Sequence, residues 1–408
     1  ISTYAKRSPR ACSTSRPIAM RPEPAGMPAS VRIVGARVVT ADAVLEDVAV
    51  RIEDGRIVDL DAGAGAAEEL DFEGDLLIPG LVDIHTDNLE RHYMPRPGAH
   101  WDAIGAAVAH DGQIAAAGIT TVFDSLSLHG SAEGLDREAH LPDMIGGLDA
   151  AREQDLLRVD HLLHLRCEVS NPHLEAVLEP LLEHGFLRML SVMDHTPGQG
   201  QYHDLDGFRA RLLEEGKGAE EVEDLLARMT EMRDGGGAVE RRRAVAAQAE
   251  RLGVAFASHD DLHPEDVALA AELGCGIAEF PVSLAAAEAA RSHGLVNAMG
   301  APNFVRGGSH SGNLSARETA ERGLLDSICS DYVPMSMLRT VFMLTEAPFG
   351  WSLPAAVAVA TRAPARMAKL DDRGEIAPGQ RADLLRVRHE PGRWPGVRGV
   401  WAGGRRVA

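Results

Sequence analysis

The sequence predicts an α/β fold, a (β/α)8 TIM barrel with a small β-sandwich built from both ends of the chain. Three observations predict it. Strand-like and helix-like stretches alternate through the middle of the chain, short β-type segments occur at both ends, and polar residues gather where the middle strands end. Alternating β and α segments favour a parallel sheet covered by helices, and eight such units in a row favour a closed barrel.

The barrel prediction depends on eight short apolar stretches with the composition of buried strands. Ala-rich helical patterns, such as 239–252 and 264–273, separate them. The connection 196–237 is long for a loop and has helical patterns of its own, so we interpret it as a lid. The predicted strands are residues 77–87, 119–125, 161–168, 187–195, 254–259, 276–281, 295–301 and 328–331.

The ends of the chain predict the sandwich. Apolar and polar residues alternate in residues 31–75, with Asp54-Gly55 as a hairpin turn. A similar alternation occurs near the C-terminus, with Gly403-Gly404 as the turn. We therefore expect residues 31–79 and 371–408 to form one composite sandwich and residues 80–370 to form the barrel.

Residues 1–30 differ from the rest of the chain. They are basic, contain several prolines and show no apolar periodicity. A transit peptide is one interpretation of such a segment. We favour a disordered extension upstream of a start at Met20 or Met27, because the segment has neither an amphipathic pattern nor an apolar core.

Composition narrows the function classes. Of the 408 residues, 45% are hydrophobic, which is enough for a large core, yet no apolar run is long enough to span a bilayer. The formal net charge of −20 argues against nucleic-acid binding. The four cysteines form no C-x-x-C pair or regular framework, which favours a reducing cytoplasm. We expect no membrane partner, and a homo-oligomer is a reasonable expectation.

The first predicted strand ends in a candidate metal motif. It reads L-L-I-P-G-L-V-D-I-H-T-D-N-L-E, and because side chains alternate along a strand, His85 and Asp87 point to the same side. A histidine and a carboxylate that project together suit a divalent cation. The alternative is a core strand whose polar tip merely begins a surface loop.

Polar residues at four other strand ends strengthen the metal interpretation. In a barrel these ends meet at one mouth, where the carboxylates would repel one another without compensating charge. Two divalent cations bridged by Glu168 would neutralise the cluster, and zinc, manganese or iron would suit the mixed ligands. The six candidate ligands are His85, Asp87, Glu168, His195, His259 and Asp331.

This set of residues resembles the amidohydrolase superfamily, through the H-x-D motif, the later strand-end ligands and the split sandwich. Longer stretches from about residue 31 to the C-terminus resemble one family within it, the ribose triphosphate diphosphatases of the carbon–phosphorus lyase pathway. These stretches are G-L-V-D-I-H-T-D-N-L-E, H-D at 110–111, H-L-R-C-E, S-V-M-D-H-T-P-G-Q, A-S-H-D-D, I-A-E-F-P and V-R-G-G-S-H-S-G-N.

Two features depart from the superfamily pattern. Its commoner first motif is H-x-H, so either Asp87 or Asn88 completes the motif here. Its two later histidines usually lie on the fifth and sixth strands, whereas His195 and His259 fall on the fourth and fifth predicted strands.

A glycine-rich run after the seventh predicted strand is a candidate phosphate site. Consecutive glycines can turn backbone N–H groups towards an anion, and serine hydroxyls and a guanidinium add donors. The alternative is a surface turn, and other cations such as Arg91, Arg96 and Lys217 are better explained as solvated charges. The candidate residues are Arg306, Gly307, Gly308, Ser309, His310 and Ser311.

The resemblance implies a hydrolase whose substrate is a phosphorylated sugar, a ribose 1-methylphosphonate with a 5-triphosphate. It implies attack on the phosphorus nearest the ribose and release of pyrophosphate, with Asp331 as the general base and acid. Two alternatives remain: an amidohydrolase that cleaves a C–N bond in a cyclic amide or N-acetyl sugar, and a non-catalytic scaffold. The glycine-rich loop argues against the first, and the complete ligand set argues against the second.

Overall fold

The computed structural model describes residues 30–408, apart from 61–67, 97, 130–136, 215, 235 and 310–311. The predicted N-terminal extension therefore lies outside the described residues, except for Ser30, which begins the first strand. The N-terminal strands are β1 (Ser30–Val34), β2 (Arg37–Val39), β3 (Val44–Leu45), β4 (Val50–Glu53), β5 (Arg56–Asp59), β6 (Glu68–Asp71) and β7 (Leu76–Pro79).

The middle of the chain forms a barrel of parallel strands, each hydrogen-bonded to the next in chain order. Each of the eight stretches predicted as strands overlaps one of these strands. Apolar side chains such as Ile84, Phe123 and Met189 fill the barrel interior. The barrel strands are β8 (Leu81–Thr86), β9 (Ile119–Leu128), β10 (Asp160–Glu168), β11 (Leu187–Met193), β12 (Ala255–His259), β13 (Ile277–Glu279), β14 (Val296–Gly300) and β15 (Ser327–Cys329).

The C-terminal strands complete two sheets that begin in the N-terminal segment. They are β16 (Leu384–Arg388), β17 (Gly396–Ala402) and β18 (Arg405–Arg406). One sheet has the order β5-β4-β1-β6, and the other has the order β18-β17-β16-β7-β2-β3. Ile33, Ile57, Phe72, Leu77 and Trp401 belong to one buried cluster that packs the two sheets together. The predicted fold class, a barrel with a sandwich from both termini, is confirmed.

The two hairpin turns that the sequence predicts in the sandwich are present. Asp54 and Gly55 both have positive φ, at 47° and 73°, which the tight hairpin between β4 and β5 requires. Gly403 and Gly404 also have positive φ, at 56° and 76°, in the hairpin between β17 and β18. Both turn predictions are confirmed.

Gly80 divides the first predicted strand, 77–87, into two. The part before it, β7, pairs with β16 in the sandwich, and the part after it, β8, enters the barrel. A Cβ at Gly80 would lie 2.3–2.9 Å from the side chain of Thr120, so only glycine fits where the chain passes from one sheet to the other. The sequence pattern alone, a continuous apolar run, did not reveal this break.

The helices begin at residues suited to capping. Asp102 and Ser283 accept hydrogen bonds from backbone N–H groups of the first turn, and His263 is followed by Pro264 and a capping box. The helices are α1 (Asn88–Tyr93), α2 (Ala103–Ala116), α3 (Arg137–Glu153), α4 (Leu174–Leu178), α5 (Leu205–Glu214), α6 (Ala219–Asp234), α7 (Ala238–Leu252), α8 (Pro264–Glu272), α9 (Leu284–Ser292), α10 (Ala301–Arg306), α11 (Ala316–Glu321), α12 (Ser336–Thr345), α13 (Leu353–Ala358) and α14 (Arg362–Met367). Short 3-10 turns occupy Glu179–Leu181 and Gly200–Tyr202.

The barrel closes between β8 and the residues that follow β15. Thr86 and Asp331 form a parallel bridge. The N–H of Asp331 donates to the carbonyl of His85 at 2.9 Å, and the N–H of Asp87 donates to the carbonyl of Asp331 at 2.8 Å. Near the start of β8 and in β15, backbone N–H groups donate to carbonyl groups of the segment between α13 and α14.

The long connection predicted as a lid contains α5 and α6, as its pattern indicated. Phe208, Leu212, Val222 and Met229 form a small buried cluster between these helices. Its role as a lid stays a prediction. Among the described helices, none has the length and apolar character needed to cross a bilayer.

We expect Gly80→Ala to destabilise the protein by about 1–3 kcal/mol, because the new methyl group overlaps the stiff, buried Thr120 side chain. Gly146→Ala is a matched control in an exposed helical position with no atom within 4 Å of the new Cβ, and it should stabilise slightly. Urea unfolding of both variants and the parent tests this. Equal midpoints for Gly80→Ala and the parent would contradict the close approach.

Candidate metal centre

The carboxyl ends of the barrel strands bring together the six side chains predicted as metal ligands. The strand numbers predicted from the sequence are confirmed, because Glu168, His195 and His259 lie at the ends of the third, fourth and fifth barrel strands. All but Asp87 and Asp331 are buried. In chain order they are His85 in β8, Asp87 directly after it, Glu168 at the end of β10, His195 after β11, His259 at the end of β12 and Asp331 after β15.

Glu279, which ends β13, orients two of the imidazoles. Its Oε1 lies 3.1 Å from Nδ1 of His85, and its Oε2 lies 3.2 Å from Nδ1 of His259. Burial would raise the pKa of Glu279, but His164 and His85 hold it well below its ordinary value, so the group is a carboxylate that accepts both Nδ1 hydrogens. Each ring then presents Nε2 as its ligand atom.

The Nε2 atoms face carboxylates that line one cavity. Nε2 of His85 lies 3.8 Å from Oδ1 of Asp87, and Nε2 of His259 lies 3.5 Å from Oδ2 of Asp260. The same Asp260 oxygen is 3.3 Å from Nε2 of His195. Asp260 therefore lies between two imidazoles. Its backbone has a positive φ of 58°, which is unusual for a residue other than glycine.

Glu168 lies beside two imidazoles. Its two oxygens accept hydrogen bonds from the Ser170 hydroxyl at 2.8 Å and from the backbone N–H groups of Ser170 and His195. Its Oε2 also lies 3.1 Å from Nδ1 of His195 and 3.4 Å from Nδ1 of His129. Glu168 thus contacts both rings and does not line the cavity, and its role as a bridge between two cations stays a prediction.

The charges around His195 favour a cation. Burial lowers the pKa of this imidazole, but the carboxylates of Asp260 and Glu168 outweigh burial and raise it to about 10. Positive charge is therefore stable between His195 and Asp260. A divalent cation satisfies the same requirement when it replaces the Nε2 proton.

Asp87, rather than Asn88, is directed at the cluster. The Asn88 amide donates to Nδ1 of His110 and to the Gln113 side chain, both at 3.0 Å, on the side away from His85. Asp87 also forms an ion pair with Arg166, with 2.5 Å between Oδ1 and Nη1.

A second buried group of histidines and acids lies behind Asn88. Asp124 accepts hydrogen bonds from Nε2 of His110 at 2.8 Å and from Nδ1 of His161 at 2.9 Å. Asp111 lies 3.4 Å from Nε2 of His161 and raises its pKa together with Asp124, to about 9, against the effect of burial. Because its members hydrogen-bond one another, this group is best described as an ionic support for the start of α1.

Asp331 lies beside the cluster at the barrel seam, also with a positive φ, 54°. Desolvation raises its pKa to about 8, and the negative charge of Asp87 adds to this effect while Arg166 opposes it. Its carboxyl group is therefore mostly protonated at pH 7, and a divalent cation beside it would favour the ionised form that accepts a proton.

The glycine-rich loop borders the same cavity, which has a volume of about 390 Å³. Arg306, Ser309 and Asn313 line it together with His85, Asp87, His259, Asp260 and Asp331. His310 and Ser311 lie outside the described residues.

The predicted anion nest at Gly307 and Gly308 is not formed. The N–H groups of both glycines donate to the carbonyl of Asn303, and Gly307 ends α10 with a φ of 89°. Because these N–H groups terminate the helix, side chains and not the glycine backbone supply the loop's donors to the cavity.

Sequence reasoning missed three residues of the site: Asp260, Glu279 and His129. Each lies at the end of a barrel strand or directly after one, and each belongs to a group whose ligand atoms lie within 4.8 Å of one another. The strand-end criterion that selected Glu168 applies equally to Glu279 in I-A-E-F-P, so the signal was present. The donor atoms, imidazole nitrogens and carboxylate oxygens, fit zinc, manganese or iron.

A barrel with a histidine and carboxylate cluster at its mouth and a split sandwich defines the class of metal-dependent amidohydrolases. The family model described as "Amidohydrolase family" matches residues 226–408. A curated protein, the alpha-D-ribose 1-methylphosphonate 5-triphosphate diphosphatase of Escherichia coli K12, is 39% identical over 351 residues, covering 83% of this chain and 90% of that protein. The chain therefore belongs to the amidohydrolase family, in the same group as that diphosphatase.

Solved structures share the fold at lower sequence identity. An N-acetyl-D-glucosamine-6-phosphate deacetylase mutant from Mycobacterium smegmatis matches with a TM-score of 0.61 at 18% identity, over 94% of this chain and all of that one. A dihydropyrimidinase from Brevibacillus agri matches with a TM-score of 0.54 at 16% identity, over 93% of this chain and 95% of that one.

We expect Glu279→Gln to weaken divalent-metal binding by about 10–100-fold, because an amide cannot accept both Nδ1 hydrogens and one imidazole loses its orientation. Calorimetric titration of metal-free protein with zinc measures the affinity. Glu288→Gln, an exposed change on α9, is the control and should bind zinc as the parent does. Parent-like affinity in a folded Glu279→Gln variant would show that Glu279 does not orient the ligands.

Proposed function

We propose that this protein hydrolyses alpha-D-ribose 1-methylphosphonate 5-triphosphate to the 5-phosphate and pyrophosphate in phosphonate degradation. The observation that carries the proposal is that one cavity is lined by both the metal-ligand cluster and the donors of the Arg306 loop. The similarity to the Escherichia coli diphosphatase, which extends over 90% of that protein, supports the choice of substrate.

Two divalent ions, for which we propose zinc, fit the cluster. His85, Asp87, His195, His259 and Asp260 would hold them, and Glu168 and Glu279 would orient the rings. Bound ions would acidify a water molecule and neutralise phosphoryl charge. Asp331, beside the cluster, takes a proton from the attacking water and later returns it.

The loop determines which phosphorus lies beside the cluster. Arg306 is exposed at the edge of the cavity and can grip the terminal phosphates of the chain, with Ser309 and Asn313 as further donors. The phosphorus nearest the ribose then lies at the cluster. The water oxygen bonds to this phosphorus, the bond to its bridging oxygen breaks, and pyrophosphate leaves with that oxygen.

The two alternatives are less well supported. Cleavage of a C–N bond, as in a cyclic amide, leaves Arg306 without a role. A non-catalytic scaffold would be expected to lack some of the ligands, whereas all six predicted side chains lie at the barrel mouth.

We also propose a cytoplasmic location, because Cys167, Cys275 and Cys329 are free thiols. Homo-oligomerisation stays a prediction.

We expect Arg306→Ala to raise KM for the triphosphate about 10–100-fold, the equivalent of one lost hydrogen bond to a charged group. Metal content should remain that of the parent, because Arg306 lies outside the ligand cluster. Arg398→Ala, which removes an exposed arginine from β17, is the control. Loss of metal in Arg306→Ala, or an unchanged KM, would mean that the loop does not bind the phosphate chain.

Hydrolysis in oxygen-18 water tests which bond breaks. Attack at the phosphorus nearest the ribose places the label in the sugar 5-phosphate and leaves pyrophosphate unlabelled, and phosphorus NMR resolves the two products. Release of orthophosphate, or label in pyrophosphate, would refute the proposed reaction.

A further inference from the structure

Arg166 is a buried cation inside the proposed active site that the reaction described above does not use. It lies on β10, two residues before Glu168, and its side chain is only 8% exposed. The side chain lines the cavity together with His85, Asp87, Asp260 and Asp331. It therefore lies deep in the cavity, whereas Arg306 is exposed at its edge.

The hydrogen-bonding capacity of Arg166 is incompletely used. Its Nη1 contacts Asp87 at 2.5 Å, but its buried Nε has no hydrogen-bond partner among the described residues. Burial opposes the charge of a guanidinium, but an arginine side chain stays protonated in proteins, and the ion pair with Asp87 compensates part of the cost. A buried charged group with an unused donor is costly unless a ligand completes its contacts.

The chemistry of this group indicates the ligand. The guanidinium fork matches two oxygens of a phosphoryl group in a bidentate manner, which neither a lysine nor a neutral donor reproduces. A neutral amide offers one carbonyl oxygen and no negative charge to such a fork. A permanent cation beside a metal centre would also compete with the metals for Asp87, a cost that is justified where the substrate is a polyanion.

We propose that Arg166 binds non-bridging oxygens of the phosphoryl group that is attacked, and so makes this metal centre selective for phosphoanhydrides. The inference rests on the proposed function and deepens it. Asp87 holds the guanidinium in place before the substrate binds. Once Asp87 shares its charge with a cation, the guanidinium is available to the phosphoryl oxygens.

The test uses zinc-loaded protein and two readouts, metal content and the binding of ribose 5-phosphate by calorimetry, because the phosphoryl group that is attacked becomes the 5-phosphate of the product. For Arg166→Met we expect parent metal content and ribose 5-phosphate binding at least about tenfold weaker. Arg166→Lys keeps the charge but not the planar guanidinium, so its binding affinity should lie between those of the parent and of Arg166→Met. Arg291→Gln breaks a surface arginine–aspartate pair, in which Nη2 lies 2.7 Å from Asp326, and should behave as the parent.

Each outcome supports or overturns the inference. Loss of metal in both Arg166 variants would show that Arg166 only positions Asp87. Unchanged ribose 5-phosphate binding in the two variants, or a parent that binds no ribose 5-phosphate, would also overturn it. Because ribose 5-phosphate binding needs no turnover, a parent that binds ribose 5-phosphate through Arg166 but cleaves no ribose triphosphate would refute the proposed function alone. If Arg166→Met does not fold, Arg166→Lys decides the question.

Discussion

The backbone exchange between Asp331 and the end of β8 is the interaction on which the site depends. Asp331 receives a hydrogen bond from Asp87 and gives one to His85 through main-chain atoms, and the same contacts close the barrel. The same contacts therefore close the barrel and bring Asp331 beside His85 and Asp87. The positive φ of Asp331 is the local strain that this double role imposes, and the surrounding strands maintain it.

Electrostatic balance is the second requirement of the site. Glu279 and Glu168 each contact two imidazoles, so both of these buried carboxylates are compensated by nitrogen donors. The chain as a whole carries a formal charge of −20, which repels polyanions from most of its surface. A phosphorylated ligand would therefore be held only where guanidinium groups and cations are concentrated.

Much of this architecture could be predicted because barrel strands are short apolar runs whose polar ends converge. That rule found the eight strands and placed His85, His195 and His259 correctly. It could not show which carboxylates face the cavity, because that depends on the direction of each side chain, and so it selected Glu168 but not Asp260, which lines the cavity. Nor could it show that Gly307 and Gly308 terminate a helix, since glycines in a nest and in a helix cap look alike in sequence.

The sandwich gives the molecule a particular order of assembly. Arg386 on β16 pairs with Asp75 beside β7, although 311 residues separate them in the chain. At a synthesis rate of about 5–20 residues per second, one edge of β7 emerges roughly 15 to 60 s before its partner strand is made. The nascent sandwich must spend that interval with an apolar strand edge uncovered, so a chain still on the ribosome presents a surface that the finished protein hides.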